Sequence, residues 1–168
     1  EFSEDELRKT MPELPWEKRT RYKKIFELKD EDIETFVADP LLAGFFEAVT
    51  VKLIGDKKKI TLATNYITSD LLGMAKKLVA GEDSYGEVVA RSGITPDSFT
   101  ETMSMVGDGL VSSRGAKDLL KILFEIGGEA RVVAEERKLL QQTDKTSLKK
   151  IAEQVVAENS EAVAQYKA

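Results

Sequence analysis

The chain has 168 residues, of which 33% are charged and 42% are hydrophobic, and its net charge is −5. This composition is typical of a folded, helix-rich protein and not of a disordered one. The chain contains no Cys and no His, which excludes disulfides, thiolate metal sites and catalysis by Ser-His-Asp or Cys-His groups. No apolar run approaches the length of a membrane span, and the acidic start does not resemble a signal peptide. We therefore expect no membrane partner.

Apolar residues recur at helical spacing along almost the whole chain, and no strand alternation or internal repeat is visible. Prolines and small polar residues mark where several helices begin, because proline suits the first helical turn and a Ser, Thr or Asp before it caps the free N–H groups. In chain order, the predicted helices are 16–26, one from Asp39-Pro40 to near Gly55, one long helix or a broken pair over 58–79, one from Thr95-Pro96 to Gly107, one from Ser112 to Gly127-Gly128, a short one around Val132, one from about Thr146, and a last turn around Val163.

Residues 80–93 contain three glycines and no sustained apolar stripe, which indicates a linker. The sequence therefore predicts an all-α protein made of two small helical bundles. Residues 1–15 would be an extended inter-domain segment, 16–80 the first bundle, 81–93 the Gly-containing linker and 94–168 the second bundle. The apolar stripe that starts at Val163 leads us to expect that the second bundle is truncated at its C-terminus.

The candidate binding residues lie on the amphipathic helix that follows Ser112. Arg114, Lys117 and Lys121 are spaced i, i+3 and i+7, so they share one face. The adjacent cations Lys149 and Lys150 add charge on a neighbouring predicted helix. The alternative is an ordinary solvated face on which acids pair with these cations, and the nearest acids along the same helix are Asp118 and Glu125.

Other polar groups favour simpler interpretations. Acidic runs such as residues 30–32 lie on polar stretches with no apolar pocket, so we interpret them as solvated faces or N-terminal-turn charges. The glycines between 107 and 115 precede a helix, but they lack the ending of a P-loop and indicate an interhelical turn, with one backbone phosphate as the weaker alternative. Tyr66 is expected in the core, and the cations 57–59 in an exposed turn. No catalytic residue and no metal site is predicted.

Three segments together resemble the B subunit of the aspartyl/glutamyl-tRNA amidotransferases. The first is residues 11–22 (MPELPWEKRTRY). The second is residues 62–73 (LATNYITSDLLG), which is similar to the family's LAANWITGELLG. The third runs from 94 to 117 and continues at 151–167 (IAEQVVAENSEAVAQYK). Their order across almost the whole chain identifies it as similar to the helical linker domain and YqeY-like tail of that protein.

The resemblance implies a role in an enzyme that converts Glu-tRNA(Gln) or Asp-tRNA(Asn) to the amide with ATP, Mg²⁺ and ammonia from glutamine. It places ATP and Mg²⁺ in an N-terminal domain outside this sequence, so no cofactor is expected here. It also implies tRNA and the A and C subunits of the amidotransferase as partners, no DNA, and a cytoplasmic location. The chain would be a non-catalytic, tRNA-binding part of an ATP-dependent carbon–nitrogen ligase.

One motif departs from the family pattern, because the usual SGKIAK appears here as SSRGAK at residues 112–117. The missing glycine before the basic residue weakens the expectation of a tight backbone approach to phosphate at Ser113. Three alternatives stay open: a protein-interaction module that docks the other amidotransferase subunits, a free-standing YqeY-like domain, and the related archaeal Glu-tRNA(Gln)-specific protein.

Overall fold

A computed structural model of the chain describes residues 13–141. Within that range the predicted all-α class is confirmed, and the only β pairing is one isolated bridge between Val111 and Leu140. The described helices are α1 (Pro15–Phe26), α2 (Asp30–Ala38), α3 (Pro40–Lys52), α4 (Lys57–Tyr66), a π-helical turn (Ile67–Leu71), α5 (Leu72–Leu78), α6 (Tyr85–Arg91), α7 (Pro96–Gly107), α8 (Ser113–Ile126) and α9 (Ala130–Glu136).

The predicted helix starts are confirmed at the level of individual hydrogen bonds. Proline occupies the first turn of α1, α3 and α7. The side chains of Asp39, Thr95 and Ser112 each accept the backbone N–H three residues further on, at 3.1, 3.2 and 3.0 Å. These caps satisfy N–H groups that have no partner inside the helix. Local chemistry therefore fixes where α3, α7 and α8 begin.

Helix α2 is absent from the sequence prediction, which assigned no helix between 26 and 39. Its first turn holds the acidic run 30–32, where negative charge interacts favourably with the helix dipole. Its Ile33 and Phe36 side chains are buried. The interpretation of this run as N-terminal-turn charge is thus confirmed, whereas the helix that it starts was missed.

The run predicted as one long helix or a broken pair over 58–79 is one continuous helical path. Helix α4 leads without a break into the π-helical turn Ile67–Leu71, which leads into α5. Single π turns insert one extra residue into a helix and occur often at functional sites. The extra residue rotates the side chains that follow it about the helix axis. Ile67 and Leu71, at the two ends of the turn, are both buried.

The segment predicted as a linker contains helix α6, which the sequence prediction missed. Val88 and Val89 of α6 are buried, and the helix packs against α3 and α5. Its start carries a local signal, a capping box in which Ser84 and Glu87 exchange side-chain and backbone hydrogen bonds. Residues 85–91 of the predicted linker are therefore helical, while the division into domains stays a prediction.

Helix α7 lies at the centre of the described fold and packs against α3, α4, α8 and α9. The buried side chains form one connected hydrophobic core that includes residues from both predicted bundles. Several predictions lie outside the described residues, namely the extended segment up to residue 12, the helix from about Thr146, the last turn around Val163 and the truncated C-terminal end.

Candidate nucleic-acid interface

Helix α8 is amphipathic, and its apolar stripe faces the core. Leu119, Leu120 and Leu123 have no exposed surface. Gly115, in the first turn, lies against neighbouring groups: a Cβ there would be 3.1 Å from a Val111 methyl carbon and 3.5 Å from the Leu139 carbonyl oxygen. A glycine that is unfavourable for helix formation therefore allows close packing at the start of α8.

The structure brings Arg114, Lys117 and Lys121 to the exposed side of α8, as predicted. Arg114 and Lys121 form no ion pair with any residue in the range 13–141. Lys117 does form one, and its Nζ lies 3.0 Å from Oδ1 of Asp70 in the π turn. The other two predicted cations, Lys149 and Lys150, lie outside the described residues.

The alternative pairing within α8 does not occur in the described part of the chain, where neither Asp118 nor Glu125 forms an ion pair. The partner is Asp70 instead, and its hydrogen bond and negative charge raise the pKa of Lys117. Lys117 is fully charged at neutral pH in any case. The pair with Asp70 therefore changes how available Lys117 is to a phosphate, and not its protonation state. A phosphate that binds Lys117 must compete with Asp70.

The π turn and the start of α8 form a single junction, which we call the π-turn junction and define as residues 65–70 together with 112–117. The Tyr66 hydroxyl donates to the Ser113 carbonyl at 3.3 Å. Tyr66 is buried, which confirms its predicted place in the core. The Ser69 hydroxyl lies 2.5 Å from the Asn65 carbonyl oxygen and 2.8 Å from Asp70, so its one proton is shared between the helix backbone and the carboxylate that Lys117 contacts. Two segments that are distant in sequence are thereby joined.

The turn between α7 and α8 is an interhelical turn, as interpreted from the sequence. The N–H groups of residues 108–111 donate to carbonyl groups of α7, and Gly109 has φ +73°. Because these donors are already used, they do not form an open cradle for a phosphate. A phosphate near this turn would depend on side chains, and the nearest predicted one is Arg114.

Basic residues near the N-terminus of the described range are used in ion pairs. Arg19 donates through two nitrogens to Glu34, at 2.6 and 2.8 Å. Arg21 contacts Glu47 at 2.7 Å and Glu13 at 2.6 Å. These charges hold α1 against α2 and α3, so they are poor candidates for RNA contacts.

The cations 57–59 are also largely paired. Lys57 pairs with Glu27, and Lys59 lies 2.8 Å from Asp108. They form the first turn of the helix α4, so the interpretation as an exposed turn is replaced by a helix start with these ion pairs.

Among residues 13–141, no group of three or more acidic side chains lies close enough together to hold a metal ion. In the same range, no helix is long and apolar enough to cross a membrane.

Sequence reasoning missed Asp70 and the junction that it completes. The acid lies in the second family-like segment and Lys117 in the third, and nothing local in either segment indicates that they meet. The only available signal was that two family-like segments occur together, which gives no distance between them.

Comparison with known proteins identifies the family. Residues 45–168 match the GatB_Yqey family, described as the GatB domain. Proteins named as B subunits of aspartyl/glutamyl-tRNA(Asn/Gln) amidotransferases are similar along almost the whole chain. The one from Bradyrhizobium diazoefficiens is 33% identical over 99% of this chain, that from Xanthobacter autotrophicus 34% over 96%, and that from Rickettsia felis 32% over 97%.

The chain spans about a third of the length of these curated relatives, 33% of the first and 31% of the other two. The family match covers most of the chain, including the π turn, the basic face of α8 and the residues that follow α9. Two of the three family-like segments noted in the sequence lie within this match, and the first, residues 11–22, lies before it. The chain therefore belongs to the GatB_Yqey family and carries its GatB domain.

Proposed function

We propose that this chain is a non-catalytic, tRNA-binding region of the B subunit of a tRNA-dependent amidotransferase. The complete enzyme would convert Glu-tRNA(Gln) or Asp-tRNA(Asn) to Gln-tRNA(Gln) or Asn-tRNA(Asn). The observation that carries the RNA-binding part is the exposed basic face of α8, where Arg114 and Lys121 have no ion-pair partner among residues 13–141. The family membership and the names of the relatives support the wider role.

The three cations would contribute unequally to this function. Arg114 presents a planar guanidinium that binds phosphate through two nitrogens, and no described acid competes for it. Lys117 must first leave Asp70, so its net gain on binding is smaller. Lys121 has no such competitor among the described residues. It lies seven residues after Arg114, which places it about 10 Å further along the helix axis at about 1.5 Å per residue. Lys149 and Lys150 stay proposed contacts. Such contacts would position the RNA by its shape without reading its sequence.

The proposal assigns no chemical step to this chain. The chain has no His or Cys, and the most buried carboxylate in the described range, Asp39, is used to cap helices. ATP and Mg²⁺ would act in a part of the B subunit outside this sequence, and tRNA and the A and C subunits would be partners in the assembly. We place this assembly in the cytoplasm as part of the same proposal.

The test is fluorescence anisotropy of a labelled tRNA(Gln) transcript titrated with the full chain at about 50 and 200 mM salt, where phosphate contacts produce a steep salt dependence. The double variant Arg114→Ala, Lys117→Ala is expected to flatten the slope of log affinity against log salt by about one unit per lost contact. The control, Lys24→Ala with Lys77→Ala, removes the same charge from two exposed lysines elsewhere and should change the slope less. Equal slopes for both variants, or no saturable binding by the unchanged chain, would contradict the proposal.

A second candidate function is a protein-docking module, and one observation favours it. Val51 and Ile54, at the end of α3, are 66% and 78% exposed. Exposed branched apolar side chains that lie close together are common at protein interfaces. Binding of the chain to the purified A and C subunits, without any binding to the tRNA transcript, would favour this function over the first.

A further inference from the structure

Helix α9 ends with a lysine in a backbone conformation that usually requires glycine. Lys138 has φ +55°. Its N–H donates to the Glu135 carbonyl at 3.1 Å, and the Leu139 N–H donates to the Ala134 carbonyl at 2.9 Å. This is the Schellman pattern, in which the left-handed position is most often glycine because a Cβ is unfavourable there. A lysine at this position is held at a cost in stability.

The chain after Lys138 runs directly to the start of α8. Val111 and Leu140 form an antiparallel bridge, and the Gln141 N–H donates to the Leu110 carbonyl at 2.7 Å. The Leu139 carbonyl oxygen lies 3.5 Å from where a Cβ on Gly115 would be. The segment that follows α9 therefore runs beside Leu110 and Val111 and close to Gly115, at the start of α8.

The charges at this place leave a basic excess. Arg137 and Lys138 are exposed and form no ion pair with a residue in the described range. Of the two acids just before them, Glu135 is paired with Arg131 at 3.4 Å, which leaves Glu136 as the one acid at the described end of α9 without an ion pair. Two cations with no described ion-pair partner thus lie at the end of α9, and the backbone that follows them runs beside the start of α8. Strained backbone at such a place is an observation from which a functional role can be inferred.

We propose that Lys138, with Arg137 beside it, extends the basic face of α8 into a two-element phosphate-binding surface for RNA. This inference rests on the proposed function, because it takes the ligand to be the same tRNA. The Schellman turn would hold Lys138 in place, and the bridge between Val111 and Leu140 would fix its position relative to Arg114. A phosphate backbone could then be contacted from both sides of the α8 start.

The substitution Lys138→Gly tests RNA binding without weakening the fold. It removes the positive charge, and glycine adopts the left-handed backbone conformation without strain. The melting temperature of the full chain should stay the same or rise by about 2–4 °C. The salt slope of binding to the tRNA(Gln) transcript should fall by about 0.7–0.9. Lys138→Arg should retain the slope. The backbone control is Glu27→Gly, since Glu27 also has φ +55° at a helix end. It relieves the same strain but removes a negative charge and frees Lys57 from its ion pair, so it should not lower the slope.

The outcomes separate this inference from the function on which it rests. An unchanged slope in Lys138→Gly, together with a reduced slope in Arg114→Ala, Lys117→Ala, would overturn the role of Lys138 and leave the proposed function standing. A fall of both the melting temperature and the affinity would identify a structural role and also overturn it. Absence of any RNA binding by the unchanged chain would contradict both the role of Lys138 and the proposed function.

Discussion

At the scale of single residues, Asp39 and Gly86 fix how α6 docks on α3. The buried Asp39 carboxylate accepts the Leu42 N–H at 3.1 Å and the Gly86 N–H at 2.6 Å, so one side chain caps two helices. A Cβ on Gly86 would lie 2.3 Å from Asp39 Oδ1 and 2.6 Å from the Leu42 nitrogen. The position therefore needs glycine because two backbones approach closely.

Gly86→Ala is expected to destabilise the protein by about 1–3 kcal/mol, because the added methyl group forces α6 away from the shared cap. The free energy of unfolding from urea denaturation measures this loss. Gly44→Ala is the control, since a Cβ there meets nothing within 4 Å and alanine favours the helix by up to about 1 kcal/mol. Equal stabilities of the two variants would show that α6 docks by other contacts.

At the scale of elements, α1 is attached by aromatic packing together with one charged network. Tyr22 has no exposed surface, and its ring lies 5.5 Å from that of Phe46 and 6.0 Å from that of Phe36, in edge-to-face geometry. Its hydroxyl donates to Glu47 at 2.6 Å, and Arg21 contacts the same carboxylate. Burial and the hydrogen bond to Glu47 raise the pKa of Tyr22 well above its ordinary value.

The network predicts that α1 loosens in acid. Burial by itself would raise the pKa of Glu47, but the hydrogen bonds from Tyr22 and Arg21 outweigh it and lower that pKa; the Arg21 hydrogen bond likewise lowers the pKa of Glu13. Stabilisation from these groups is therefore complete above the ordinary Glu pKa of about 4.3 and is lost as the pH falls through their lower folded values. The protection factors of the α1 amides, which are corrected for the intrinsic pH dependence of exchange, should fall across that window.

Two variants test the source of this acid dependence. Glu47→Gln should weaken the dependence, because the side chain at 47 then no longer titrates. Tyr22→Phe should cost about 1 kcal/mol at pH 7, the usual net contribution of one hydrogen bond. If Glu47→Gln leaves the acid transition of α1 unchanged, the transition arises from other carboxylates.

At the scale of the whole molecule, contacts cross the predicted boundary between the two bundles. The Phe45 ring of α3 lies 5.5 Å from the Phe99 ring of α7. The pair of Asp70 with Lys117 and the bond from Tyr66 to Ser113 cross the same boundary. With the core continuous through these contacts, the two predicted bundles share much of their stabilising surface.

We therefore expect residues 13–141 to unfold in one cooperative transition. Phe99→Ala, at a fully buried site, should lower the free energy of unfolding by about 3–5 kcal/mol. It should also reduce amide protection in α3 as much as in α7. Two separate melting steps, or protection in α3 that is unaffected by the change, would instead support the predicted division into independent bundles.

The sequence alone determined the helical class, the starts of α3, α7 and α8 and the basic face of α8, because these depend on contacts within a few residues: a cap, a proline in the first turn, an apolar stripe. It did not yield α2 or α6, which have only 9 and 7 residues and are too short for a sustained apolar stripe, although Ser84 and Glu87 carry a capping signal. For such helices, burial against α3 supplies the stability that local propensity lacks.

Only the tertiary structure decided which charges on the basic face are available. Lys117 is paired because the π turn brings Asp70 to it, and the end of α9 lies near the start of α8 because Leu140 pairs with Val111. No sequence pattern close to these residues indicates either contact. An ion pair or a bridge between distant segments exists only after the core has packed those segments together, so no local pattern predicts it.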